Sequence, residues 1–127
     1  MTRAIVVPLL VSVAACGAHA PRMAMRAPNP NGCYVMLFRE PAFGAAGDVL
    51  NGPGEWPTLD TLRVTVHSRW GNEIRSLRLG SAARLVAYAE AGFKGPAATF
   101  AAGSEHPSLE PPMAANIESI ELACLGN

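Results

Sequence analysis

Ile74-Arg75-Ser76-Leu77-Arg78-Leu79 and Ile117-Glu118-Ser119-Ile120-Glu121-Leu122 are two versions of one phrase, Ile-x-Ser-[Leu/Ile]-x-Leu. Upstream of each stands a second shared phrase: Phe38 is followed five residues on by Phe43, and Tyr88 by Phe93. The copies also agree at Leu50 and Phe100, each seven residues beyond its Phe. A repeat of about 40–50 residues marks two copies of one supersecondary unit, each too small to bury a core alone. Both phrases alternate apolar and polar positions, as a half-buried strand does. The chain is therefore expected to carry a duplicated β unit. That reading points to binding or structural roles rather than to chemistry.

The surrounding sequence repeats the β theme. Tyr34-Val35-Met36-Leu37-Phe38 is a short apolar run, and Leu62-Arg63-Val64-Thr65-Val66 alternates. Leu85-Val86-Ala87-Tyr88 and Ala98-Thr99-Phe100 read as further strands. Gly44, Gly47 and Asn51-Gly52-Pro53-Gly54 supply turn chemistry between them. Short strands punctuated by Gly and Pro predict an all-β antiparallel sandwich. No stretch sustains a helical period; Ala82-Ala83-Arg84 and Ala114-Ala115 allow single turns.

A length of 127 residues gives one domain plus extras, and half the residues are apolar. Formal net charge is zero, with Arg and acids interspersed. Nucleic acid is thereby excluded as the expected partner, because its electrostatic footprint is a basic stripe.

The N-terminus reads as an address. Arg3 precedes an apolar run from Ala4 to Ala15, too short to span a bilayer and suited to a signal-peptide core. The run ends in Val13-Ala14-Ala15-Cys16-Gly17, which resembles a bacterial lipobox. The rival is cleavage after Ala18-His19-Ala20, but Pro21 would follow that cut and suits signal peptidase poorly. The favoured division is a signal peptide over 1–15, a lipidated Cys16 opening a Pro-rich tether over 16–32, and the folded domain over 33–127. Motif one covers about 33–80 and motif two about 83–125. The expected partner is then a membrane, through the lipid. Gly17 in place of Asp after the lipidated residue leans toward the outer membrane. Fully extended, the tether reaches about 50 Å.

Of three cysteines, lipidation of Cys16 leaves two. Cys33 opens the first strand of the folded part and Cys124 closes the last. An oxidising compartment favours their pairing. Two buried free thiols are the alternative.

On the aromatic-x4-Phe hairpins and the paired serines, the chain resembles the βγ-crystallin family. Tyr88, Phe93, Gly95 and Ser119 match its Greek-key motif; Phe38, Phe43 and Ser76 match it again, with Ala45 where Gly belongs. The resemblance implies a βγ-crystallin-like sandwich of two antiparallel four-stranded Greek-key sheets. It makes both serines structural, through hydroxyl bonds to the folded-over hairpin. It also implies calcium sites, each shared between the motifs. Carried over residue by residue, one site uses Asn72, the carbonyl of Glu73 and Glu118; the other uses Ala115, the carbonyl of Asn116 and Arg75. Calcium takes six to eight oxygens, preferably some of them anionic, and the first set offers an amide, a carbonyl and a carboxylate. A methyl and a guanidinium make the second site dead. The expectation is no cofactor beyond one weak Ca²⁺.

No G-x-S-x-G elbow, nucleophile–base pair or metal cluster stands out, so no enzyme is expected. His19, His67 and His106 lie far apart, outside any zinc-ligand spacing. Glu40 and Glu90 recur because the motif is duplicated. Trp56 and Trp70 suit core or corner packing. The leading expectation is a non-enzymatic envelope lipoprotein with a structural or binding role. The alternative is a secreted proteinase inhibitor of crystallin-like type, presenting Asn51–Pro57 as its loop.

Overall fold

The computed structural model describes residues 4, 26–45, 47–62 and 69–126. Cys16, His19, His67 and the alternating Arg63–Val66 lie outside the described residues.

Among the described residues eight strands form, with one short 3-10 turn: β1 (Tyr34–Phe38), the turn Pro41–Phe43, β2 (Asp48–Asn51), β3 (Gly54–Trp56), β4 (Ser76–Leu79), β5 (Ala83–Glu90), β6 (Lys94–Phe100), β7 (Glu105–His106) and β8 (Ser119–Cys124). They make two four-stranded antiparallel sheets, ordered β2-β1-β4-β7 and β3-β8-β5-β6. The third strand of each motif crosses to the other motif's sheet: β3 pairs with β8, and β7 with β4. Neither motif can therefore complete a sheet by itself.

Alternation decides which side chains face inward. Val35 and Leu37 of β1, Leu77 and Leu79 of β4, Leu85 and Ala87 of β5, and Ile120 and Leu122 of β8 are buried between the sheets. Leu59, Trp70, Ile74, Leu109, Met113 and Ile117 close the core from the connections. Truncating such a residue to Ala costs about 2–5 kcal/mol.

The decisive phrases form strand only from their serines onward, since Ile74 and Ile117 precede β4 and β8 and pack into the core. Ala83 opens β5 instead of a turn, whereas Ala114 and Ala115 do lie in one.

The folded part also starts earlier than Cys33. The Asn29 backbone N–H donates to Asn51 Oδ1 at 2.7 Å, and Asn29 Nδ2 donates to the carbonyls of Cys33 and Gly52. Asn51 Nδ2 in turn donates to the Ala27 carbonyl at 3.0 Å. The Pro-rich segment is thus strapped to the end of β2 from Ala27 onward, because two Asn side chains satisfy backbone groups that prolines leave without ladder partners.

Candidate functional site

The two aromatic hairpins fold over the outer faces of the sheets. The Ser76 hydroxyl donates to the Glu40 carbonyl at 2.6 Å and accepts from the Phe43 N–H at 3.1 Å. Ser119 donates to the Glu90 carbonyl at 2.6 Å and accepts from the Phe93 N–H at 3.0 Å. Both serines are fully buried. Their hydroxyls satisfy the two backbone groups that each bend withdraws from the ladder. Phe38 and Phe43 meet edge to face at 5.5 Å, as Tyr88 and Phe93 do at 5.7 Å. Burial differs between the copies. Phe38 is buried, with the Arg78 guanidinium 3.7 Å from the neighbouring Phe43 ring, while Tyr88 stays half-buried on its outer face.

Gly95 takes φ +76°, and Ala45 takes φ +61° at the equivalent place. The bend therefore imposes its left-handed conformation whether or not Gly is present. An L-residue there carries about 1–2 kcal/mol of strain.

On one side, two of the three residues named for a calcium site meet across the motifs. Asn72 Nδ2 donates to Glu118 Oε1 at 2.6 Å, and the Asn72 N–H donates to the Ile117 carbonyl at 3.0 Å. Its counterpart bond runs from the Ala115 N–H to the Ile74 carbonyl at 3.0 Å. Asn72 and Ala115 both adopt positive φ, 59° and 51°. The backbone is thus duplicated while the side chains are not. Asn72, Glu118 and the carbonyl of Glu73 offer one anionic and two neutral oxygen donors. That set partly fits Ca²⁺, which is tuned by ligand charge and number. Ala115 and Arg75 offer no side-chain oxygen, so the other half does not fit. Glu118 is bound by Asn72; the ion pair among the described residues is Arg78–Glu105 at 3.6 Å.

Cys33 and Cys124 form a disulfide with Cα atoms 5.3 Å apart and 91 residues between them in sequence. It ties the start of β1 to the end of β8, and so one sheet to the other. Gly52 packs against it: a Cβ there would lie 2.9 Å from the Cys33 sulfur.

Asn51–Pro57 does not project as a loop. Asn51 ends β2, and Gly54–Trp56 is β3, laddered to Leu122, Glu121 and Ile120. Trp56 packs against the core and stacks on Gly54. The segment proposed for an inhibitor is thus tied down by its own sheet. Trp70 is buried under the Arg39 guanidinium, 4.7 Å from its ring, in keeping with core packing. Among the described residues no group of three or more His, Cys, Asp or Glu side chains converges. His106 bonds Ser104 Oγ at 2.8 Å and lies edge-on to Phe100; burial lowers its pKa.

Solved structures share this arrangement. A βγ-crystallin domain from Clostridium beijerinckii is 22% identical, covering 69% of this chain and 94% of that one, with a TM-score of 0.58. A βγ-crystallin domain from Flavobacterium johnsoniae is 17% identical over 73% and 97%, with a TM-score of 0.60. A domain solved in connection with the evolution of the eye-lens βγ-crystallin fold is 16% identical over 79% and 94%, with a TM-score of 0.66. The fold is that of a βγ-crystallin domain. No protein-family model and no curated protein matches the sequence. These structural neighbours are crystallin-type domains rather than enzymes. The βγ-crystallin frame accounts for the paired serines, the hairpins and the exchanged third strands. The strap at Asn29 and the Arg39–Trp70 stack lie outside the repeated residues, and no repeat of sequence announced them.

Proposed function

We infer that this chain is an exported, non-enzymatic lipoprotein of the bacterial cell envelope, in which a βγ-crystallin-type domain serves a structural or binding role. The observation that carries this reading is the Cys33–Cys124 disulfide, which suits an oxidising compartment beyond the cytoplasm. The Val13-Ala14-Ala15-Cys16 run supports lipid attachment at Cys16, and a membrane is then the partner. Calcium binds at most once, through Asn72, the Glu73 carbonyl and Glu118, at the weak end of about 10⁻⁴–10⁻³ M.

Labelling of producing cells with a radioactive fatty acid tests the anchor. Label is expected on the wild type and not on Cys16→Ser, which should leave the membrane fraction. A mature N-terminus at Pro21, or wild-type protein that takes up no label, overturns the anchoring.

A further inference from the structure

The two sulfurs of the disulfide are covered unequally, and the strand ends explain why. In β8, Ala123 and Cys124 pair with Arg84 and Ala83 of β5 on one side. On the other side β3 begins only at Gly54, opposite Leu122, so Ala123 and Cys124 have no β3 partner. Just before Gly54 the chain comes over from the other sheet, where the Gly52 N–H donates to the Cys33 carbonyl at 3.0 Å. The gap left at the end of β3 is an open groove of about 590 Å³, with Pro53, Gly54, Leu122, Ala123 and Cys124 among its walls.

Cys33 has no such access. It is 0% exposed, whereas Cys124 is partly exposed. Gly52 closes over the Cys33 sulfur: a Cβ on that glycine would stand 2.9 Å from Cys33 Sγ and 3.0 Å from Leu122 Cδ2. Thiol–disulfide exchange depends on which sulfur the attacking thiolate can reach. Here the fold offers one sulfur and hides the other.

We propose that Cys124 is a thiolation site, at which a small thiol entering the groove opens the bond in the folded protein. The thiolate attacks Cys124 Sγ and forms a new S–S bond as the Cys33–Cys124 bond breaks. Cys33 leaves with the bonding electron pair and takes a proton from water. The thiol is itself the reductant, so the exchange needs no other electron carrier. The fold keeps the two residues together, with Cα atoms 5.3 Å apart, so the freed Cys33 attacks Cys124 Sγ in return, expels the small thiol and recloses the bond. The adduct is therefore short-lived and has to be trapped.

Reduced glutathione is the probe, acting on the oxidised 127-residue chain that carries Cys16→Ser. Only the two domain sulfurs then react, and the outcome does not depend on lipid attachment. Acid quenching at early times, maleimide labelling and peptide mass spectrometry locate each group. Glutathione on Cys124 with maleimide on Cys33 should exceed the reverse arrangement by about tenfold or more. Low urea should leave the opening rate nearly unchanged, because attack does not wait for unfolding. Glutathione on Cys33, or an even split between the sulfurs, overturns the proposal. So does an opening rate that climbs from zero urea with the full urea dependence of global unfolding. Folded protein that stays closed at a glutathione concentration able to open the urea-unfolded chain overturns it as well.

Discussion

Ser76 and Ser119 hold the same two backbone groups by the same two bonds, so removing either hydroxyl should read alike. Each Ser→Ala change leaves a buried N–H and a buried carbonyl unpaired, at about 1–3 kcal/mol for each group. Urea denaturation should show both variants losing stability by similar amounts; a loss confined to one would mean that the hairpins are not equivalent. The bend itself gives a contrasting pair. Ala45→Gly relieves the left-handed strain and should stabilise by about 1 kcal/mol. Gly95→Ala should destabilise by more than that gain, since a Cβ there would lie 2.5 Å from Glu90 Oε2 and 2.9 Å from Glu90 Cγ. At the cross-motif site, Glu118→Gln removes the sole anionic donor. Calorimetric titration should then show that whatever Ca²⁺ the wild type takes up is lost. Tight binding, or binding that survives the change, would place the ion elsewhere.

At the scale of elements, the exchanged third strands determine what each half can do. Without β8, β3 has no ladder partner, and without β4, β7 has none. Fragments 26–82 and 83–126 should therefore each show an unfolded circular dichroism spectrum when produced separately. The strand β7 also carries the pH response. Burial lowers the pKa of His106, so the folded state prefers the neutral ring. Its contribution is present in full above the ordinary value of about 6.5. As pH falls through that value toward the lowered folded pKa, the unfolded chain takes up more protons and this contribution is lost. His106→Gln should flatten that part of the stability profile in chemical denaturation. Asp48 runs the other way: burial raises its pKa, so its ionisation as pH rises through the raised value costs stability. The main strands were legible because apolar positions alternating with polar ones over four or more residues leave a clear two-residue period, as in Leu77 and Leu79 against Ser76 and Arg78. Gly54–Trp56 and Glu105–His106 were not. Two or three residues are too short to show a period, and an edge strand that crosses between sheets is fixed by its partner rather than by its own pattern. Asn72 and Glu118 were found because the resemblance to the βγ-crystallin motif points to those positions; Ala27–Asn29 carries only turn chemistry, and its docking depends on the distant Asn51.

For the molecule as a whole, the disulfide closes a loop of 91 residues. On the chain-entropy model such a closure contributes about 4–5 kcal/mol. Reduction, or Cys33→Ala with Cys124→Ala, should lower the denaturation midpoint accordingly, and the intact oxidised protein should give no alkylation at either residue. Two alkylatable thiols in exported protein would contradict the pairing.

The same bond governs how the domain answers a pull. Tension applied between the strap and the C-terminus enters at Cys33 and leaves at Cys124, two points 5.3 Å apart and joined covalently. The load crosses the bond and bypasses both sheets, so stretching the oxidised molecule end to end leaves the folded body slack. Once the bond is reduced, the sheets become the only resistance. Their failure would pay out 91 residues of chain, on the order of 300 Å of new length. Optical-tweezer traces should therefore show an extension step of that size only in reductant.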